Sequence, residues 1–311
     1  GTAALHLAGV ALDWKEGDIV ITTPITFLAT ANAIRYSGAR PDFVDIDSST
    51  YSLDPNCLED KIKKYRKKGI NVTACIGVDF AGQPAGWNEL REIANKYEIH
   101  LINDCCHALG AAYKGNEKYA SKYADIVTYS FHPVKQITTG EGGAIVSNDA
   151  MIGERVKRLR GHGIELRHDQ SPHERGSWYY EMVELGFNYR ITDIQCALGL
   201  TQLKKLDSFV KRRREIARRY DEALSGDCRF ILPLVANENN HAYHLYPLQI
   251  NFDDINASKK EIFERLARHG IRLQVHYIPI YKHPYYRNLG FQGMELENAE
   301  NIVGIEFLNS S

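Results

Sequence analysis

Residues 72–80 read VTACIGVDF, residues 88–97 read NELREIANKY and residues 99–103 read IHLIN. The first and third runs are short, apolar and rich in β-branched residues, which is typical of buried strands. The middle run has the length and spacing of a helix. A strand, a helix and a second strand in this order predict a βαβ unit with two parallel strands.

The same alternation extends in both directions along the chain. Asp54 followed by Pro55 is a typical helix start, and Gly69 is a typical helix end. Four further strands and two further helices are predicted, the strands at 18–22, 43–46, 124–131 and 143–146 and the helices at 27–36 and 55–68. We therefore expect an α/β fold with a mostly parallel central sheet sandwiched by helices. Such sheets bind ligands beyond the carboxyl ends of their strands.

The pattern changes after residue 150. Two long helical patterns and then a strand–helix–strand pattern follow, at 192–206, 208–224, 244–250, 258–269 and 271–277. We expect a large domain at 1–207 and a smaller C-terminal α/β domain at 208–311. The sequence begins with Gly1 and not with an initiator methionine, and its last residues do not predict a final helix or strand. We therefore expect missing segments at both ends.

The composition excludes several classes of protein. The chain has 311 residues, with 38 basic and 39 acidic side chains and a formal net charge of −1. This balance argues against a nucleic-acid-binding surface, which needs clustered basic side chains. No run approaches the roughly 20 apolar residues of a membrane span. The six cysteines and the histidines lack disulfide or metal-ligand spacing, so we expect a cytoplasmic protein with reduced thiols and no metal.

The most distinctive local sequence is TYSFHPVK at 128–135, followed by GEGG at 140–143. Most lysines are solvated surface residues. Lys135 instead follows an apolar strand and precedes glycines that let a backbone approach a ligand closely. A lysine in such a cleft loses solvation, which lowers its pKa and makes its amine a nucleophile toward a carbonyl group.

Asp104 follows a predicted strand in the run INDCCHALG at 102–110. One interpretation is a helix N-cap. The other pairs this carboxylate with a lysine that holds pyridoxal 5′-phosphate (PLP), because a carboxylate beside the pyridine nitrogen keeps the ring protonated and electron-poor. A buried carboxylate also needs a compensating partner, which the sequence does not identify.

Five runs resemble, in the same order, those of the DegT/StrS-type sugar-nucleotide aminotransferases. They are GTAAL (1–5), TPITF (23–27), DCCHA (104–108), SFHPVK (130–135) and GFNYRITDIQ (186–195). The resemblance covers essentially the whole chain. It implies PLP as cofactor, the PLP-dependent aminotransferase fold type I, and a homodimer with active sites shared between subunits.

The resemblance also implies roles for individual residues in catalysis. Lys135 matches the lysine that bonds covalently to the cofactor and later moves a proton. Asp104 matches the partner of the pyridinium nitrogen. His107 matches a position near the phenolic oxygen of the cofactor.

Other positions match residues that bind the cofactor. Phe27 matches the aromatic that stacks on the ring, although a core aromatic on an amphipathic helix is an alternative. Thr2, Ala3 and Ser130 match phosphate contacts, which suits a helix start with free N–H groups and a nearby hydroxyl. Asn188 matches a residue that the neighbouring subunit supplies.

Within the family, three further runs resemble the transaminases of pseudaminic acid biosynthesis, at 178–186, 202–220 and 273–280. This likeness implies amino transfer from L-glutamate to C4 of a UDP-linked 4-keto-6-deoxy-N-acetylhexosamine. His276 and Tyr277 would face that substrate, or would be buried strand residues. The alternatives are another nucleotide-linked 4-keto-6-deoxy sugar, or cofactor binding without turnover. A dehydratase of the same fold would carry histidine in place of Lys135.

Overall fold

The computed structural model describes residues 1–165, 178–236, 239–255, 257–302 and 305–308. The first half of the chain alternates between helices and strands. These elements are α1 (Thr2–Ala11), β1 (Ile19–Thr22), α2 (Leu28–Tyr36), β2 (Arg40–Phe43), α3 (Pro55–Lys67), β3 (Val72–Val78), α4 (Trp87–Tyr97), β4 (His100–Asp104), α5 (Tyr119–Tyr123), β5 (Ile126–Ser130) and β6 (Gly143–Val146).

The second half has longer helices and shorter strands. They are α6 (Ala150–Leu159), β7 (Ile164–Glu165), β8 (Glu181–Met182), α7 (Asp193–Leu203), α8 (Leu206–Leu224), β9 (Phe230–Ile231), β10 (Tyr246–Ile250), α9 (Lys259–Arg268), β11 (Leu273–Val275), α10 (Glu297–Asn301) and β12 (Ile305–Leu308). None of the helices in the described ranges is long and apolar enough for a membrane crossing.

Six strands form the main sheet in the order β2-β1-β3-β4-β5-β6. The first five strands are parallel, and β6 is antiparallel to β5. Because side chains alternate between the faces of a strand, this sheet has two apolar faces. Helices α3 and α4 pack on the face of Ile21 and Leu101, whereas α1 and α2 pack on the face of Val20 and Ile102. The expected fold class is confirmed.

A second sheet joins strands near the C-terminus in the order β11-β12-β10-β9, with antiparallel pairing throughout. Strand β12, which lies between β10 and β11 in this sheet, is not predicted from the sequence. Tyr281, Tyr286 and Phe291 return to the main sheet and pack against Phe43 at its edge. The domain division at 207–208 falls in the first turn of α8 and stays a prediction.

The boundaries of several predicted elements are wrong by a few residues. The strand expected at 43–46 is observed at Arg40–Phe43, where Pro41 is tolerated because β2 is an edge strand. The strand expected at 271–277 is limited to Leu273–Val275. The short strand β7 at Ile164–Glu165 has no counterpart among the predicted elements, and residues 166–177 lie outside the described residues.

Candidate active site

Three connections of the main sheet meet beyond its carboxyl edge. Asp104 is the last residue of β4, and Ser130 is the last residue of β5. Phe27 follows β1 as the N-cap of α2. The parallel register aligns Val78 of β3 with Asp104, and Asp104 with Thr128 of β5. The fold therefore brings these residues to one edge, where sheets of this type bind ligands.

The Asp104 carboxylate is buried and held by hydrogen bonds from two directions. The Thr30 hydroxyl donates to Oδ2 at 2.7 Å, and the backbone N–H of Cys106 donates to Oδ1 at 3.2 Å. No helix begins at Asp104, since the next helix after β4 is α5, so the N-cap interpretation is wrong. Thr30 is not among the residues predicted from the sequence. Its hydroxyl also lies 2.9 Å from the hydroxyl of Thr26, four residues earlier.

Lys135 lies in the turn that follows β5, where its backbone N–H donates to the carbonyl of His132 at 3.0 Å. Burial lowers the pKa of the Lys135 amine, while the nearby Cys106 thiol and Asp104 carboxylate oppose that change. The amine is thus within electrostatic reach of Asp104, as the resemblance implies. Its Nζ atom lies 3.4 Å from Nε2 of His244, a residue that the sequence analysis did not single out.

His107 is buried beside the lysine, and its backbone carbonyl accepts a hydrogen bond from the Gln136 side chain. Burial lowers the pKa of His107 well below its ordinary value, and the charge of Lys135 lowers it further. The ring is therefore neutral near pH 7. Within the described ranges, its Nδ1 atom is buried and has no hydrogen-bond partner. Such an atom is available to an oxygen of a ligand.

Helix α1 begins at the same edge and has an uncapped N-terminus. Its N-cap is Gly1, without a side-chain hydrogen bond, and its first turn has no acidic residue. Thr2 and Ala3 are exposed there. A Cβ atom added to Gly1 would lie 3.0 Å from Cβ and 3.2 Å from Oγ of Ser130. The free N–H groups, the positive helix end and the Ser130 hydroxyl form a cradle suited to a phosphate.

Phe27 is 56% exposed, so the core interpretation of this residue is wrong. Its ring lies 6.2 Å from that of Tyr277. Burial raises the pKa of Tyr277, and the negative charge of Asp104 raises it further. Tyr277 is thus within electrostatic reach of the Asp104 carboxylate.

His276 lies next to Tyr277 and also borders the lysine. Burial lowers the pKa of His276, the Gln274 backbone opposes that change, and the charge of Lys135 lowers the pKa again. Because β11 ends at Val275, His276 and Tyr277 are not strand residues. The structure therefore brings both predicted substrate residues to the cleft.

Asn188 lies apart from this group of residues. It is exposed and forms an isolated β-bridge with Gly161. The neighbouring rings of Phe187 and Tyr189 stack with centroids 5.0 Å apart. In the part of the chain that the structure describes, no contact joins Asn188 to Lys135.

This geometry agrees with comparisons to known proteins. Residues 1–307 match the DegT/DnrJ/EryC1/StrS aminotransferase family. The chain belongs to this family. It is 42% identical over 306 residues to the UDP-4-amino-4,6-dideoxy-N-acetyl-beta-L-altrosamine transaminase of Campylobacter jejuni, covering 98% of this chain and 77% of that protein.

Solved structures of family members share the fold. The structure of Helicobacter pylori PseC, an aminotransferase involved in the biosynthesis of pseudoaminic acid, superposes with a TM-score of 0.86 and 31% identity. That match covers 99% of this chain and 79% of PseC. A sugar aminotransferase of Streptococcus pneumoniae in its PLP form gives a TM-score of 0.86 and 29% identity, covering 99% of this chain and 79% of that one.

The cofactor of this family is PLP, and the residues at the edge of the sheet fit it. A desolvated amine, a buried carboxylate and an uncapped helix start lie together, as an aldehyde, a pyridine nitrogen and a phosphate require. The unpartnered Nδ1 of His107 supplies a polar atom for a further oxygen. Among the described residues, no group of three or more His, Cys, Asp or Glu side chains could hold a metal.

Proposed function

We propose that this family member transfers an amino group from L-glutamate to C4 of a UDP-linked 4-keto-6-deoxy-N-acetylhexosamine, as in pseudaminic acid-type biosynthesis. The observation that carries the proposal is the meeting of Lys135, Asp104 and the α1 cradle at one edge of the sheet. The substrate class rests on the likeness to the altrosamine transaminase, which is 42% identical to this chain over 98% of this chain and 77% of that protein.

We assign the cofactor-binding roles as follows. When bound, PLP supplies a carbonyl group that exchanges amino groups and a ring that withdraws electrons. Asp104 holds the protonated ring nitrogen, and its bond from Thr30 fixes the orientation of the carboxylate. His107 would contact the phenolic oxygen, and Phe27 would stack on the ring. Residues at the α1 start hold the phosphate, namely Thr2, Ala3 and Ser130.

Lys135 is the residue that moves the proton. Its Nζ atom would take the proton from the α-carbon of the amino donor in one half-reaction and would deliver a proton to C4 of the sugar in the other. Burial supports this role because it lowers the pKa of the amine, so that more of it is in the basic form near neutral pH. His276 and Tyr277 border the space beside Lys135 and contact the sugar nucleotide.

We also propose a cytoplasmic homodimer in which Asn188 completes the site of a second copy. Helix α7 has no buried residue, and Ile194 on it is 84% exposed. Trp178 and Leu185, which precede Asn188 in the sequence, are 80% and 77% exposed. Large exposed apolar patches mark interfaces. All six cysteines are free thiols, which suits a reducing compartment.

The proposal is tested by mixing the protein with PLP and recording its visible absorbance before and after L-glutamate. We expect glutamate to remove the absorbance of the lysine-bound cofactor, and Lys135→Ala to abolish the change. Lys68→Ala, which removes an exposed lysine, is the matched control. Mass spectrometry then follows amination of UDP-linked and GDP-linked 4-keto-6-deoxy sugars. Binding of PLP without amine transfer would refute the proposal and favour the alternative without turnover.

A further inference from the structure

His244 is buried beside Lys135, although it comes from the segment that precedes β10. Its Nε2 atom lies 3.4 Å from Nζ of Lys135. Its ring also packs on His107, with centroids 4.3 Å apart and an angle of 46° between the planes. Within the described residues, the Nδ1 atom of His244 is buried without a hydrogen-bond partner. Among the described residues, Lys135 is thus the polar neighbour of Nε2 in this ring.

The backbone around His244 is held firmly from two sides. On one side, the N–H of Leu245 donates to the carbonyl of Ala81 at 3.1 Å. A Cβ atom on Gly82 would lie 3.0 Å from the nitrogen of His244, so glycine is needed for this approach. On the other side, Arg213 donates to the carbonyl of His244 at 3.3 Å. The imidazole is therefore a fixed group against which a flexible lysine can be positioned.

We propose that His244 is a positioning residue for Lys135, whose amine it holds by accepting a hydrogen bond at Nε2 whenever the amine is not bonded to another group. This inference rests on the proposed function, because it concerns the reacting amine of that site. In this role, Nε2 of His244 is the acceptor that keeps Nζ of Lys135 in the cleft, within electrostatic reach of Asp104 and Cys106, between the two half-reactions. Without this acceptor, the freed side chain has rotamers that lead away from the reacting atoms.

The direction of the hydrogen bond follows from the charges. An ammonium group has only donors, so Nε2 accepts and the ring proton lies on Nδ1. Burial and the positive charges of Lys135 and Arg213 lower the pKa of His244 well below its ordinary value, so the ring is neutral. The other titratable groups that act on the amine are Cys106, Asp104, His107 and His276. A neutral acceptor favours the ammonium form of Lys135 over the free amine.

Two variants separate the acceptor from the shape of the ring. His244→Phe keeps an aromatic ring and removes the acceptor, whereas the carbonyl oxygen of His244→Gln can reach the position of Nε2. The readout is the pH midpoint at which Lys135 reacts with trace acetic anhydride in the protein without PLP. Peptide mass spectrometry measures it, with exposed Lys68 as internal reference. Far-ultraviolet circular dichroism checks that each variant is folded.

We expect the pH midpoint of Lys135 to fall by about one unit in His244→Phe, and to stay near the wild-type value in His244→Gln. An unchanged midpoint in His244→Phe, or equal shifts in both variants, would overturn the inference. In wild-type protein with ¹⁵N-labelled histidine, NMR should show His244 protonated at Nδ1; protonation at Nε2 alone overturns the inference even if the variants do not fold. Neither readout depends on amine transfer, so failure of the proposed function is recognised separately in the glutamate assay.

Discussion

The hydroxyl of Thr30 donates a 2.7 Å hydrogen bond to Oδ2 of Asp104, across 74 residues of sequence. Both groups are buried. A hydrogen bond to a charged group contributes about 1.5–3 kcal/mol net. Helix α2 therefore fixes the carboxylate that we assign to the pyridinium nitrogen, and a change in Thr30 acts on the cofactor through Asp104.

Replacing Thr30 by valine keeps the shape of the side chain but removes the donor. We expect Thr30→Val to weaken PLP binding about tenfold, which corresponds to about 1.4 kcal/mol. Quenching of protein fluorescence by PLP measures the affinity. Thr30→Ser retains the hydroxyl and is the matched control, with affinity close to wild type. Equal affinity of Thr30→Val and wild type would contradict the role of this hydrogen bond.

The sequence predicts the main sheet well because its strands carry continuous apolar runs. It also singles out Asp104 and Lys135 as candidate site residues, since the first ends such a strand and the second lies in the turn after one. It does not identify Thr30 or His244, because both reach the site through tertiary packing and neither has a local signal of its own. Strand β12 is missed because its pairing partners, β10 and β11, lie far away in the sequence.

Gly82 is a position near the site at which an added methyl group should be disruptive. Its φ is +106°, and an added Cβ would lie 2.9 Å from the carbonyl oxygen of His107 and from the nitrogen of Tyr243. Both atoms belong to the backbone and cannot rotate away. We expect Gly82→Ala to lower the free energy of unfolding by about 3 kcal/mol or more. Urea denaturation followed by circular dichroism measures this loss.

Gly115→Ala is the control for backbone strain alone. Gly115 has a φ of +73°, and an added Cβ would meet nothing within 4 Å. We expect a loss of only about 1–2 kcal/mol at this position. If the two alanine variants lost the same free energy of unfolding, close packing at Gly82 would not be the cause.

Three buried histidines should make the stability of the protein depend on pH. Burial lowers the pKa of His107 and His244 well below the ordinary value, and that of His241 to about 3. In the unfolded chain these histidines have an ordinary pKa of about 6.5. Below that pH the unfolded state binds more protons than the folded state, so stability falls as the pH falls. Their contribution is complete above about pH 6.5.

At about pH 5.5 each of these histidines should cost about 1.4 kcal/mol, or about 4 kcal/mol for the three together. Urea denaturation of the protein without PLP, at about pH 7.5 and about pH 5.5, measures the difference. In His241→Asn, the amide oxygen can still accept the bond that Nδ1 accepts from the N–H of Tyr243 at 2.8 Å. This variant should recover the contribution of His241, about 1.4 kcal/mol at about pH 5.5. An unchanged pH dependence in His241→Asn would show that His241 is not the neutral buried group described above.

The exposed apolar face of α7 gives a direct test of the proposed dimer. Ile194 is 84% exposed, which is costly for a large apolar side chain unless a second copy covers it. A charge at the centre of such an interface would be buried without a partner, so we expect Ile194→Asp to shift the protein from dimer to monomer in sedimentation velocity. PLP affinity should fall with it, because Asn188 no longer reaches a second site. Met151→Asp on α6, at a residue that is 82% exposed, should leave both properties unchanged. If the wild-type protein were monomeric and still bound PLP tightly, the proposed role of Asn188 would be contradicted.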